Sequence, residues 1–284
     1  MLTATAMEII RSRQNAQLRR ARAAAAGKED GVLVLEGDRL VDEAIAAGLR
    51  IELCLVASDR PDRAAELDAR LAARAENGGE NGGAAGVRLV DPELLQQASS
   101  LKTSPGVLAI AEPPAERALA SLDPKLAPLV AIACGISDPG NLGALARTAE
   151  AAGAGALVLV GGASPWSPKA LRGSMGSLLR LPVARAGGDD SGGAAGDVRV
   201  ALSAAGYRQL RAATRGGKPF DRADWTPPVA LWLTSEIGEL PEDALAAEPV
   251  TIPMAAPVES LNVTVAAAVL LFAARSGAGQ GGGS

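Results

Sequence analysis

Asp138-Pro139-Gly140-Asn141-Leu142-Gly143, continuing to Arg147-Thr148-Ala149, is the stretch on which the reading of this 284-residue chain turns. It follows residues 129–134, a continuous apolar run suited to a parallel strand buried on both faces. Asn141 stands before a helical run, and its side chain is of a type that accepts from the first free backbone N–H groups. Leu142, Leu145, Ala149 and Ala152 form an apolar stripe at helical spacing, and Gly153 is a natural stop. At about 100° per residue Arg147 points nearly opposite that stripe. The simplest role for it there is an exposed pair with Glu150 at i,i+3.

Working outward, strand and helix signals alternate in both directions, which predicts an α/β layer architecture. Upstream, strands are expected at 32–35, 51–56, 87–90 and 107–111, with helices at 38–47 and 63–75. Downstream, strands are expected at 156–160, 207–213, 229–233 and 250–252, before a last helix at 261–275. Two low-complexity stretches, 77–83 and 187–196, read as surface loops. A Pro-rich linker at 113–127 separates a domain at 1–112 from one at 128–276, and the Gly-rich residues 277–284 read as a disordered tail.

Composition narrows the chemistry. With 48% hydrophobic and 21% charged residues the chain reads as soluble and globular. It has no histidine, which removes the commonest general base and the commonest zinc ligand. Cys54 and Cys134 lie in separate apolar segments without metal-ligand spacing, so buried free thiols and no metal are expected. No apolar run approaches the roughly 20 residues of a membrane span and no leader is visible; a cytoplasmic protein with no membrane partner is expected. A net charge of −4 gives no global attraction to nucleic acid, so any such partner must be held by local basic patches. Dinucleotide binding is disfavoured, because no Gly-x-Gly-x-x-Gly follows a predicted strand.

Two further segments join the first. Lys169-Ala170-Leu171-Arg172-Gly173-Ser174-Met175-Gly176 reads as a small-residue turn in which Arg172 has the planar fork that suits a phosphate. Ile252-Pro253-Met254 closes a strand and is followed by Glu259-Ser260-Leu261-Asn262-Val263 at a helix entrance. Ser260 and Asn262 are both cap types, and a helix entrance also offers free N–H groups to a ligand. Met254 is either ordinary core or lining for an adenine pocket.

In this order and spacing the three segments resemble the signature motifs of the SpoU (TrmH-like) RNA ribose methyltransferases, members of the knotted SPOUT superfamily. The resemblance covers roughly residues 128–275. It implies a C-terminal trefoil-knot domain, S-adenosylmethionine as methyl donor with S-adenosylhomocysteine as product, and a homodimer whose active site lies at the subunit interface. Carried over by motif position, Asn141, Arg147, Ser260 and Asn262 form the catalytic group with Glu259 beside them. Thr234, Ser235, Glu236, Gly238, Ile252, Pro253, Met254, Ser260, Leu261 and Asn262 hold the cofactor. Ser174 and Arg172 face RNA. The N-terminal region is similar to the family's small L30e-like substrate-binding domain through Glu36-Gly37-Asp38-Arg39-Leu40-Val41 and Thr103-Ser104-Pro105-Gly106-Val107. There Arg11, Arg13, Arg19, Arg20 and Arg22 make a local basic segment, either a solvated helix face or a contact for RNA phosphates.

The activity so implied is 2′-O-ribose methylation of RNA, with ribosomal RNA the first expectation and transfer RNA the second. The chemistry is an in-line transfer to a ribose oxygen, which the protein must align and whose developing charge it must stabilise. A guanidinium with a pKa above about 12 is a reluctant base. Arg147 is therefore expected to orient the phosphate and hydroxyl, leaving proton removal to water or to a deprotonated Arg147. The family often reads Gly-x-Glu-x-x-Gly-Leu where this chain has Thr234-Ser235-Glu236-Ile237-Gly238-Glu239-Leu240. The alternative is thus a non-catalytic RNA-binding paralogue with a degraded cofactor loop.

Overall fold

A computed structural model describes residues 9–76, 86–186, 191–235, 240–255 and 257–280. Two compact units emerge, one formed by residues 1–114 with 166–168, the other by 115–165 with 169–284. In the first, strands β1 (Ile9–Ile10), β2 (Leu33–Glu36), β3 (Ile51–Ala57), β4 (Val87–Val90) and β5 (Val107–Ala111) alternate with helices α1 (Ala16–Ala25), α2 (Asp38–Ala46), α3 (Pro61–Glu76) and α4 (Pro92–Ala98). The sheet order is β1-β4-β3-β5-β2, parallel from β1 to β3 and antiparallel across β5. Leu18, Leu55, Leu95, Leu108 and Ile110 fill its core.

The second unit is a seven-stranded sheet whose paired strands are all parallel, in the order β10-β12-β9-β11-β6-β7-β8. Its strands are β6 (Leu129–Cys134), β7 (Ala156–Val160), β8 (Val183–Ala186), β9 (Arg208–Ala213), β10 (Lys218–Pro219), β11 (Val229–Thr234) and β12 (Glu248–Thr251). The helices are α5 (Pro139–Ala151), α6 (Pro168–Ser174), α7 (Ser177–Arg180), α8 (Ser191–Ala204), α9 (Glu242–Leu245) and α10 (Val263–Gln280). Every residue of β6 and β7 is buried, as a parallel sheet covered on both faces requires. Trp232 lies at the centre and donates its indole N–H to Gln209 Oε1 at 3.0 Å. Both cysteines are buried free thiols; burial pushes Cys54 up to about 12 and Cys134 up to about 11.

Several expectations are corrected. Residues 187–196 are not simply a loop: α8 begins at Ser191, because Ala194, Ala195, Val198 and Leu202 are buried in the core, and that packing outweighs the poor helix propensity of its glycines. Residues 187–190 and the predicted loop at 77–83 lie outside the described residues. The last helix runs to Gln280, so 277–280 are not a tail; a Cβ at Gly277 would meet Trp225 Cβ at 2.7 Å, and glycine lets the helix pass that ring. Residues 281–284 lie outside the description. The segment expected to be a turn at 172–176 is the end of α6, closed by left-handed Gly176 and followed by α7.

Glycines also decide how α5 and α6 meet. A Cβ at Gly143 would lie 2.3 Å from Ala170 O and 2.8 Å from Ser174 N, and one at Gly173 would lie 3.2 Å from Gly140 O. The backbones of the first two motifs are thus in direct contact, with no room for a Cβ at Gly143 and little at Gly173. Gly143→Ala should therefore force the helices apart and cost about 1–3 kcal/mol, read as a lowered melting temperature by circular dichroism. An unchanged melt would show that the contact is not tight.

Candidate functional site

Parallel strands in an open α/β sheet present their ligand sites outside their carboxyl ends. Here the ends of β9, β11 and β12 surround a cavity of about 540 Å³, within the size range of small-molecule pockets. Thr214 and Arg215 after β9, Thr234 at the end of β11 with Ser235 after it, and Ile252 and Met254 after β12 line it. Glu259, Ser260 and Leu261 close it from the loop before α10, and Val263, Ala266 and Leu270 of α10 form its floor. Seven of the residues expected to hold or serve a cofactor, distant in sequence, therefore share one wall. Pro253 and Asn262 are exposed and do not line it. Glu236 and Gly238, with Glu239 between Gly238 and Leu240, lie outside the described residues.

The lining suits an adenosine-bearing ligand. Leu233, Leu240, Leu245, Val250 and Met254 give apolar surface for a base, while the hydroxyls of Thr214, Thr234, Ser235 and Ser260 offer hydrogen bonds. Sequence reasoning missed the β9 contribution, Arg211 to Arg215. The available signal was the change from Leu210-Arg211-Ala212-Ala213 to Thr214-Arg215-Gly216, which marks a strand's carboxyl end. Arg215 Nη2 reaches Glu259 Oε1 at 3.4 Å, an exposed pair of little energetic weight.

Motif one takes a different form from the expectation. Asp138, not Asn141, caps α5: its Oδ1 accepts from the Asn141 N–H at 2.9 Å, with Pro139 at the first helical position. Lys169 and the Asn141 N–H hold the Asp138 carboxyl below its usual range. Asn141 is half-buried inside the helix, relieved of capping. Arg147 is exposed, as its helical phase predicts, yet the expected pair with Glu150 is absent. Glu150 binds Arg180 instead, through Nε and Nη2, both at 2.8 Å. Among the described residues Arg147 makes no side-chain hydrogen bond or ion pair.

At the third motif Asn262 does cap: its Oδ1 accepts from Thr264 N–H at 3.0 Å. α10 packs along α5, and Arg275 donates to Ala151 O at 2.9 Å at the end of that helix. Neither Asn141 nor Arg147 lines the cavity. At the second motif Ser174 is fully buried and donates to Leu171 O at 2.8 Å, so it holds α6 together and is unavailable to RNA. Arg172 is half-buried on the same helix.

In the first unit Arg11, Arg13 and Arg19 are exposed and, among the described residues, carry no side-chain partner. Arg20 is corrected: Glu29 at 2.6 Å and Glu52 engage it and push its pKa further up, so its charge is already matched. Glu36 is buried beneath the hydroxyls of Ser99 and Ser100, which makes it a structural residue.

A family model described as "SpoU rRNA Methylase family" matches residues 128–272. The chain belongs to that family. It is 33% identical over 140 residues to the 23S rRNA (guanosine(2553)-2'-O)-methyltransferase RlmP of Bacillus subtilis, covering 48% of this chain and 54% of that protein. It is 35% identical over 143 residues to the 23S rRNA (uridine(2479)-2'-O)-methyltransferase of Streptomyces viridochromogenes, covering 49% of each. The chain spans about half the length of these curated relatives. Among solved structures it is similar to the AdoMet-bound rRNA methyltransferase from Sinorhizobium meliloti, with a TM-score of 0.79 and 27% identity over 95% of this chain and 97% of that one.

The Arg180–Glu150 pair gives a pH test. Arg180 holds the Glu150 carboxyl below its ordinary value. A depressed carboxyl contributes stability that is present above the unfolded value of 4.5 and lost as pH falls through the folded value. Arg180→Met should cost less than about 1 kcal/mol near pH 7, and the difference should vanish on acidification. Denaturant melts at the two pH values check this; a difference that persists in acid would assign the effect to packing.

Proposed function

We propose that this protein transfers a methyl group from S-adenosylmethionine to a ribose 2′-oxygen of RNA, ribosomal RNA before transfer RNA. The observation that carries this is the cavity itself. In a SpoU-family chain it joins the third motif to the ends of β9, β11 and β12, with the size and lining an adenosine ligand needs. Two rRNA 2'-O-methyltransferases among the relatives and the AdoMet-bound neighbour support the same reading. So does the return of α10 across α5, β6 and β11, which fits the trefoil knot we assign to residues 128–276.

When bound, the sulfonium donor supplies an activated methyl group. The chain's own groups do the rest. The cavity hydroxyls and the backbone around Ser260, Leu261 and Asn262 orient the ligand, and the apolar wall excludes water. Arg147, exposed and free of Glu150, is placed to grip an RNA phosphate and stabilise charge on the ribose oxygen. Asn141 sits six residues earlier on α5, released from capping by Asp138. Arg11, Arg13 and Arg19 supply phosphate contacts from the first unit.

The separation of Arg147 from the cavity lining supports a site completed by a second copy. Val265 and Phe272, seven residues apart on α10, are 49% and 44% exposed, unusual for apolar side chains on a helix beside the site. Their burial against a partner would bring two copies together at α5 and α10. Sedimentation should show a dimer at tens of micromolar and a monomer for the Val265→Asp, Phe272→Asp double variant; a monomeric native protein would remove the basis for a shared site.

Because Arg147 faces away from the core, Arg147→Ala should keep its melting temperature and its affinity for S-adenosylhomocysteine. Its transfer rate to RNA should fall by at least about two orders of magnitude, as when a transition-state contact is lost. Near-normal transfer would overturn the assignment.

A further inference from the structure

Arg211 is the unexplained group of the cavity. It lies within β9, in register with Trp232 of β11 on one side and Pro249 of β12 on the other. An arginine flanked by strands on both sides is an unusual choice there. Two positions earlier on the same face of β9, Gln209 is fully used: it donates to Arg199 O at 2.9 Å and Ser203 Oγ at 2.8 Å and accepts from Trp232. Arg211 is not. Its Nε is buried without a hydrogen-bond partner, and among the described residues its guanidinium forms no ion pair. Arg211 is among the residues that line the cavity.

Leaving a buried guanidinium N–H unpaired is costly, and the cost is recovered when a ligand supplies the acceptor. The other arginine in the lining, Arg215, is matched by Glu259. Arg211 is therefore the uncompensated charge among the described lining residues. A planar guanidinium pairs best with a carboxylate or phosphate. The proposed cofactor carries one anionic group, the carboxylate of its amino-acid end, and its sulfonium is repelled by the same charge.

We propose that Arg211 binds that carboxylate and so sets which way the cofactor lies in the cavity, an inference that rests on the cavity being the S-adenosylmethionine site. The adenosine then occupies the apolar wall, and the sulfonium is held away from β9, toward the loop before α10. Arg211 is a binding residue in this scheme and takes no part in proton transfer.

Two ligands separate this contact from the rest of the site. S-adenosylhomocysteine carries the carboxylate, while 5′-methylthioadenosine keeps the adenosine and thioether and lacks the amino-acid end. Calorimetric titration of the full chain should show that Arg211→Met weakens S-adenosylhomocysteine by at least about tenfold, as for loss of a charge-assisted pair, and leaves 5′-methylthioadenosine unchanged. Arg211→Lys, which keeps the charge, should recover part of the loss and serves in place of the Met variant if that one does not fold. Equal loss for both ligands, or loss for neither, overturns the proposal and leaves the cofactor site standing; the second result is also what an arginine serving an RNA phosphate would give. If the native protein binds neither ligand, the cofactor reading itself falls, and this inference with it.

Discussion

Burial of a parallel sheet on both faces is the constraint from which the rest of the second unit follows. Apolar runs such as Leu129–Cys134 and Ala156–Val160 have no solvated face, so in these central strands polar groups appear only where the strands stop. The stops of β9, β11 and β12 lie side by side, and three loops remote in sequence therefore share one cavity. The fold supplies the site's position, and the loops supply its chemistry.

Along α5 the structure twice removes a residue's ordinary duty. Asp138 takes over the cap and frees Asn141. Arg180 takes Glu150 and leaves Arg147 without a partner among the described residues. Each replacement is worth little as stability: a surface pair contributes less than about 1 kcal/mol and a cap about 1 kcal/mol. Their consequence is availability, since an arginine already paired must break that pair before it grips a phosphate. The contact of α5 with α6 at Gly143 is of another kind, because a Cβ there would overlap the backbone of α6.

The central strands were legible in the sequence because they are apolar runs. The runs at 87–90, 107–111, 129–134 and 156–160 coincide with β4, β5, β6 and β7, and the bounds of β2, β3, β9, β11 and β12 differ by a residue or two. By contrast β1 and β10, each two residues long, and β8, interrupted by Arg185, were not read as strands. What escaped reading did so for identifiable reasons. The glycines at the start of α8 speak against a helix, and only the core it covers overrides them. Asp138 and Asn141 are both cap types three residues apart; Pro139, which favours the first helical position, was the signal that decides for Asp138. Ser174 resembles a turn residue until packing buries it. Salt bridges are the least legible class: nothing in the spacing of Arg147, Glu150 and Arg180 says which arginine the carboxylate will choose. Arg211 was visible only as one of two arginines in the strand Arg208–Ala213, and its meaning appeared only with the cavity beside it.

The most direct measurement of what this protein does is the identity of the nucleoside it makes. Unmodified ribosomal RNA incubated with the protein and S-adenosylmethionine bearing a labelled methyl group, then digested to nucleosides and resolved by mass spectrometry, should carry the label on a ribose 2′-oxygen. Label on a base, or RNA left unlabelled by a protein that binds S-adenosylhomocysteine, would contradict ribose methylation of this RNA.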